Sequence, residues 1–173
     1  MASRYDNLDA SKELEQEIAA DLRAALGPRG CVVTHNGTPT SPAGGGKSDI
    51  VVHDAANKRI LLIEVTQRRG AAADGEFPAI TEHLDDAVAV GGFKDYCCLY
   101  VSPATSPRMA LNIIDRHNRL RQTEHKKGRI VAVDFATLDE AVQRWKGTDA
   151  KRYPAPRIGD LFERWADASD DSS

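Results

Sequence analysis

Leu8, Leu14, Ile18, Leu22, Ala25 and Leu26 recur at helical spacing, which predicts a helix from Leu8 to Leu26 that Gly27-Pro28 stops. Cys31 to Thr34 reads as a short strand. The stretch from Asn36 to Lys47 holds Pro39, Pro42 and Gly44-Gly45-Gly46 and reads as a loop. Asp49 to His53 is extended, and residues 54–58 form a turn. Arg59 to Gln67 is the longest predicted strand. It is apolar on both faces until Glu64, as expected of a central strand covered on both sides. After a loop from Arg68 to Phe77, Ile80, Leu84, Ala87 and Val88 mark a second helix. Pro78 stands near its first turn and Gly91-Gly92 at its end. Tyr96 to Val101 is a strand. Ser106-Pro107 caps a helix from Arg108 to Gln122. Arg129 to Phe135 is a strand, and Thr137-Leu138-Asp139-Glu140 is a capping box for a helix reaching Lys146. Arg157 to Ala166 reads as a terminal helix, and 167–173 as a disordered acidic tail.

Three consecutive strands after one helix argue against a simple alternating βαβ chain. They predict an α/β domain over 1–166, with a mixed sheet and helices on both faces. The chain has 173 residues, 41% hydrophobic and 28% charged, with a net charge of −3. That composition excludes collagen-like, coiled-coil, disulfide-scaffold and wholly disordered classes. No apolar run approaches the roughly 20 residues needed to span a bilayer. The first residues are too polar for a secretory signal. Cys97 and Cys98 are neighbours on a strand, so they point to opposite faces and are expected as free thiols. The expectation is a cytoplasmic protein without a membrane partner.

Asp49 and Glu64 carry the chemistry. Asp49 opens one strand, Glu64 interrupts the apolar run of the next, and a hairpin would bring them together at one end of the sheet. Two carboxylates about 4 Å apart repel by about 4 kcal/mol at intermediate dielectric, and a divalent ion removes that cost. The alternative is a Glu64 at the exposed strand end, paired with Arg68 or Arg69. Alternation puts Glu64, Thr66 and Arg68 on one face, and Val65 and Gln67 on the other. On a helical wheel Glu15 falls between Leu22 and Leu26, which makes it the candidate inward acid of the first helix; the alternative is a boundary Glu whose carboxylate reaches solvent.

Ser48-Asp49 followed by Glu64-Val65-Thr66 resembles the signature of the PD-(D/E)xK nuclease superfamily, and the order of elements resembles its restriction-endonuclease-like αβββαβ core. From Gly46 to Lys146 the pattern is most similar to the cleavage domain of FokI-type (type IIS) restriction endonucleases. It is carried by Lys47-Ser48-Asp49-Ile50-Val51, Leu99-Tyr100-Val101-Ser102, the helix with Asn112 and Arg119, and Arg129-Ile130-Val131-Ala132-Val133. The resemblance implies a Mg²⁺-dependent endonuclease, with Mn²⁺ as an alternative ion, acting on double-stranded DNA. It implies metal ligation by Asp49, Glu64 and the Val65 carbonyl, helped by Glu15, and in-line attack of water on phosphorus. It further implies a homodimer or a partner subunit that supplies recognition. Thr66 departs from the pattern, because the family's lysine usually fills that slot. Arg68 on the same face could supply the missing charge, and Gln67 could reach the site only through a bulge. An inactive descendant, serving as a DNA-binding or assembly subunit, would also read Thr there.

Charge placement supports nucleic acid. From Pro107 to Arg129 the seven basic residues, Arg116 and Arg119 among them, outnumber Asp115 and Glu124. Lys47, Arg68 and Arg69 flank the other side of the site, and all five are candidate phosphate contacts. An ordinary solvated helix face is the alternative. Gly45-Gly46-Lys47-Ser48 resembles the end of a P-loop, but Ser41 stands where the first Gly is required and a strand rather than a helix is predicted to follow. The five histidines show no zinc spacing, and no nucleophile elbow surrounds Ser102 or Ser106.

Overall fold

The computed structural model describes residues 3–8, 11–36, 48–67, 75–104 and 113–147. After a short 3₁₀ turn at Arg4–Asn7, the elements are α1 (Ser11–Leu26), β1 (Val32–His35), β2 (Ile50–Asp54), β3 (Arg59–Val65), α2 (Phe77–Val90), β4 (Asp95–Ser102), α3 (Asp115–Thr123), β5 (Arg129–Asp134) and α4 (Phe135–Gly147). The five strands form one sheet in sequence order. β1–β2 and β2–β3 are antiparallel, while β3–β4 and β4–β5 are parallel. Each parallel step carries a helix, α2 and then α3, as crossover connections require. The mixed α/β sheet with helices on both faces is the architecture the sequence predicts.

Alternation along the strands divides the core. Val33, Ile50, Val52, Ile63, Leu99 and Val133 face α1 and α4, joined by Tyr5 from the leading turn. Ile60, Leu62, Cys98, Tyr100 and Ile130 face α2 and α3, where Phe77, Ile80 and Leu84 meet them. β3 is therefore apolar in both directions because it is covered in both. Cys97 and Cys98 fall in opposite clusters, and all three cysteines are buried free thiols. Burial pushes the Cys97 thiol up to about 12.

Several boundaries differ from the expectations, each for a local reason. Leu8 lies outside the first helix. It follows the 3₁₀ turn, in which Ser3 Oγ accepts from Tyr5 N, and packs against the α1 side of the core. α4 begins two residues before its predicted capping box, because Asp134 Oδ1 accepts from Thr137 N at 2.8 Å and caps the helix itself. The strand expected to reach Gln67 ends at Val65, although Thr66 N still donates to Val101 O at 2.9 Å. α2 runs from Phe77 to Val90, longer than its apolar stripe indicates. The helix expected from Arg108 is a helix from Asp115, and 105–112 lie outside the described residues. So do the Asn36–Lys47 loop beyond Asn36, the terminal helix at Arg157–Ala166 and the tail at 167–173. Among the described residues, no helix is long and apolar enough to cross a membrane.

Candidate functional site

The β2–β3 hairpin aligns Ile50 with Ile63. One step further toward the same end of the sheet, that register sets Asp49 opposite Glu64, on the face turned to α2. Asp49 Oδ2 accepts a hydrogen bond from Val65 N at 2.8 Å. Glu64 is buried, at 8% exposure, and its Oε1 meets His83 Nδ1 of α2 at 2.7 Å. Among the described residues its partner is a histidine of α2, and Arg68 and Arg69, the alternative partners, lie outside the described residues. Two residues on and on the same face, Thr66 Oγ1 donates to Glu76 Oε1 at 3.2 Å. Tyr100, aligned with Glu64 across the parallel β3–β4 pair, donates its hydroxyl to Glu76 Oε2 at 3.0 Å. Glu76 is the residue just before α2, so the start of that helix is tied to the end of the sheet.

Glu15 of α1 reaches the same end of the sheet from the other side. Its Oε2 lies 2.9 Å from Nε2 of the buried His35 on β1. The charges of Glu64 and Glu15 both act on Asp49. Burial, first of all, pushes the Asp49 carboxyl up to about 7; the Val65 N–H opposes the rise, the two glutamates add to it, and His83 lowers it. The site is therefore a crowded, partly desolvated group of acids with too little positive charge beside it.

Such a group suits a hard divalent cation. Among the described residues, Asp49 Oδ1 and Glu64 Oε2 take part in no hydrogen bond, which leaves each carboxylate one oxygen to offer. Oxygen donors on a strained, buried negative centre are the chemistry Mg²⁺ and Mn²⁺ prefer. Among the described residues, no three His, Cys, Asp or Glu side chains are gathered as a ready metal cage. Among the described residues, the side-chain oxygens left to offer here are one each from Asp49 and Glu64.

The expected site residues separate into groups. Asp49, Glu64, Val65 and Thr66 stand together at the shared end of β2 and β3, with Glu15 approaching from α1. Gln67 turns to the opposite face, where its Nε2 donates to Leu8 O at 2.5 Å. Arg116 and Arg119 are exposed on α3, and Arg119 pairs with Asp115 at 2.8 Å. Lys47, Arg68 and Arg69 lie outside the described residues. Arg121 leaves the basic surface altogether. It is buried, donating to Asp85 Oδ1 at 2.7 Å and to the carbonyl of Gly128 at 3.1 Å. His83, Glu76, Tyr100 and His35 are site neighbours that sequence reasoning does not find. Alternation along β4, with Tyr100 on the face of Cys98, is the available signal for Tyr100. His83 sits beside the apolar stripe of α2, where nothing local distinguishes it from a surface histidine.

No protein-family model matches the chain, and no curated protein matches it. Among solved structures, it is similar to the crystal structure of the small subunit of the heterodimeric restriction endonuclease R.BspD6I. The TM-score is 0.61, with 17% identity over 91% of this chain and 77% of that one. The fold is restriction-endonuclease-like. At this identity the likeness is one of fold, and the chemistry rests on the residues at the end of β2 and β3.

Proposed function

We propose that the protein is a metal-dependent DNA endonuclease of restriction or defence type, cytoplasmic, and built on the pattern of a FokI-type cleavage domain. The observation that carries this reading is the pairing of Asp49 and Glu64 at one end of a restriction-endonuclease-like sheet, each with one carboxylate oxygen uncommitted.

Asp49, Glu64 and the Val65 carbonyl are the groups that would hold Mg²⁺ or Mn²⁺, with Glu15 acting through water. The ion, when bound, supplies positive charge to a phosphate oxygen and acidifies a water molecule. The chain's own part is positional. His83 fixes one Glu64 oxygen and so orients the other. Val65 N–H does the same for Asp49. Thr66, in the slot where the resembling family has lysine, carries no charge and is tied to Glu76. Arg68 is the proposed source of that charge. Lys47, Arg68, Arg69, Arg116 and Arg119 are the proposed phosphate contacts on double-stranded DNA. Gln67, committed to Leu8 O, is the weakest of the candidate catalytic groups.

The Thr66–Glu76 contact also favours a second reading, a nuclease-fold subunit that binds DNA or a partner without cutting. The similarity to a small subunit of a heterodimeric restriction enzyme accords with it. Either a second copy or a separate recognition subunit would complete the enzyme.

Supercoiled-plasmid cleavage separates the readings. The expected result is nicked or linear DNA with Mg²⁺ or Mn²⁺ and a loss of at least about 100-fold in Asp49→Ala and Glu64→Ala, the scale of removing a key electrostatic group. Intact plasmid under both ions, with DNA binding retained, would replace the nuclease by the non-cutting subunit.

A further inference from the structure

α2 covers its face of the sheet incompletely. Between its C-terminal half and the β1–β3 end of the sheet lies a cavity of about 370 Å³. Val51, Ile60 and Leu62 line it from the sheet, and Ala87 and Val90 from α2. At one end stand two rings, Phe93 and His53, with centroids 5.6 Å apart and planes at 77°. At the other end the lining turns polar with Asn36, Ser48 and His83. That polar end is the wall shared with the carboxylates, because Ser48 precedes Asp49 and His83 holds Glu64.

Ser48 is the telling group. It is 2% exposed and its Oγ is buried without a hydrogen-bond partner, whereas its carbonyl accepts from Asn36 Nδ2. An unsatisfied buried hydroxyl costs about 1–3 kcal/mol, and a ligand whose polar edge reached Ser48 Oγ would remove that cost. We propose that this cavity receives an unstacked nucleobase of the nucleic-acid substrate, beside the phosphate held at Asp49 and Glu64. The proposal rests on the nuclease reading and adds the form of substrate it acts on.

The chemistry fits a base better than its rivals. A base has two apolar π faces and a polar edge, matching apolar walls that end in a hydroxyl, an amide and an imidazole. The volume lies at the small end of the range for compact ligands. A phosphate does not belong inside, since among the described residues no Lys or Arg lines the cavity and Asp86 does. An apolar peptide side chain would fill the walls but leave Ser48 Oγ unpaired. Opening a base from a duplex costs a few kcal/mol and costs little in a single strand, so single-stranded or locally melted DNA is the preferred form.

The test uses the full chain in Ca²⁺ with two single-stranded probes, an oligo(dA) dodecamer and a dodecamer of abasic deoxyribose phosphate. Binding is read by fluorescence anisotropy, and thermal melting checks that each variant is folded. The wild type should prefer the probe with bases by about tenfold, the scale of one buried base. Ala87→Phe, which fills the cavity from α2, should erase the preference and leave abasic affinity unchanged. Ser48→Ala should reduce the preference about threefold, consistent with the removal of one hydrogen bond. Equal binding of both probes by the wild type overturns the cavity proposal alone. So does a preference that survives Ala87→Phe in a variant that melts as the wild type does. Failure of the wild type to bind either probe also overturns the cavity proposal, while the nuclease reading is decided separately by plasmid cleavage.

Discussion

Asp49 carries a charge that the folded protein does not want. Burial, reinforced by the charges of Glu64 and Glu15, pushes its carboxyl from 3.8 to about 7. The folded state therefore holds the Asp49 proton more tightly than the unfolded state. Stability from this group is full below about pH 4 and is lost as pH rises through about 7. Asp49→Asn removes the charge and keeps the shape. In metal-free urea unfolding it should match the wild type near pH 4 and exceed it by about 2 kcal/mol at pH 8, a value discounted for the partly solvated side of the group. A variant no more stable than the wild type at pH 8 would mean that Asp49 is already compensated. The two acids are legible in the sequence because a carboxylate breaking an apolar central strand is costly without a reason. Their neighbours are not. Glu76 meets Thr66 and Tyr100 only once the loop after β3 has returned the chain to the sheet, and no local pattern encodes that return.

At the scale of elements, α3 and β5 are joined through a glycine that works under constraint. Gly128 has φ +92°, and a Cβ there would lie 3.0 Å from Leu84 Cδ1 of α2. Its carbonyl accepts from the buried Arg121, so one turn fixes three elements. Gly128→Ala meets both a strained backbone and an occupied space, and should cost about 1–3 kcal/mol by chemical denaturation, with no change in metal affinity. A neutral effect would show that the turn relaxes freely. The succession of strands and helices along the chain is legible because β3 and β4 are continuous apolar runs buried on both faces, whereas the order of strands in the sheet is not. Boundaries depart from periodicity where a side chain takes over, as Asp134 does at the start of α4. The positive balance read from Pro107 to Arg129 also shrinks at the surface, because Arg121 serves the core.

The whole molecule is mildly acidic, with a net charge of −3, so the proposed nuclease would hold DNA by local patches rather than by its overall field. Arg116 and Arg119 lie exposed on α3. Replacing both by Glu should weaken duplex binding at low salt and flatten the log–log salt dependence by about 2, one unit for each phosphate no longer neutralised. An unchanged slope would move the DNA track away from α3. Metal binding by the paired acids is tested by anomalous diffraction from crystals soaked in Mn²⁺. A peak is expected within about 2.5 Å of both the Asp49 and Glu64 carboxylates, absent in Glu64→Gln. A soaked crystal in which these oxygens stay apart and bind no ion would contradict it.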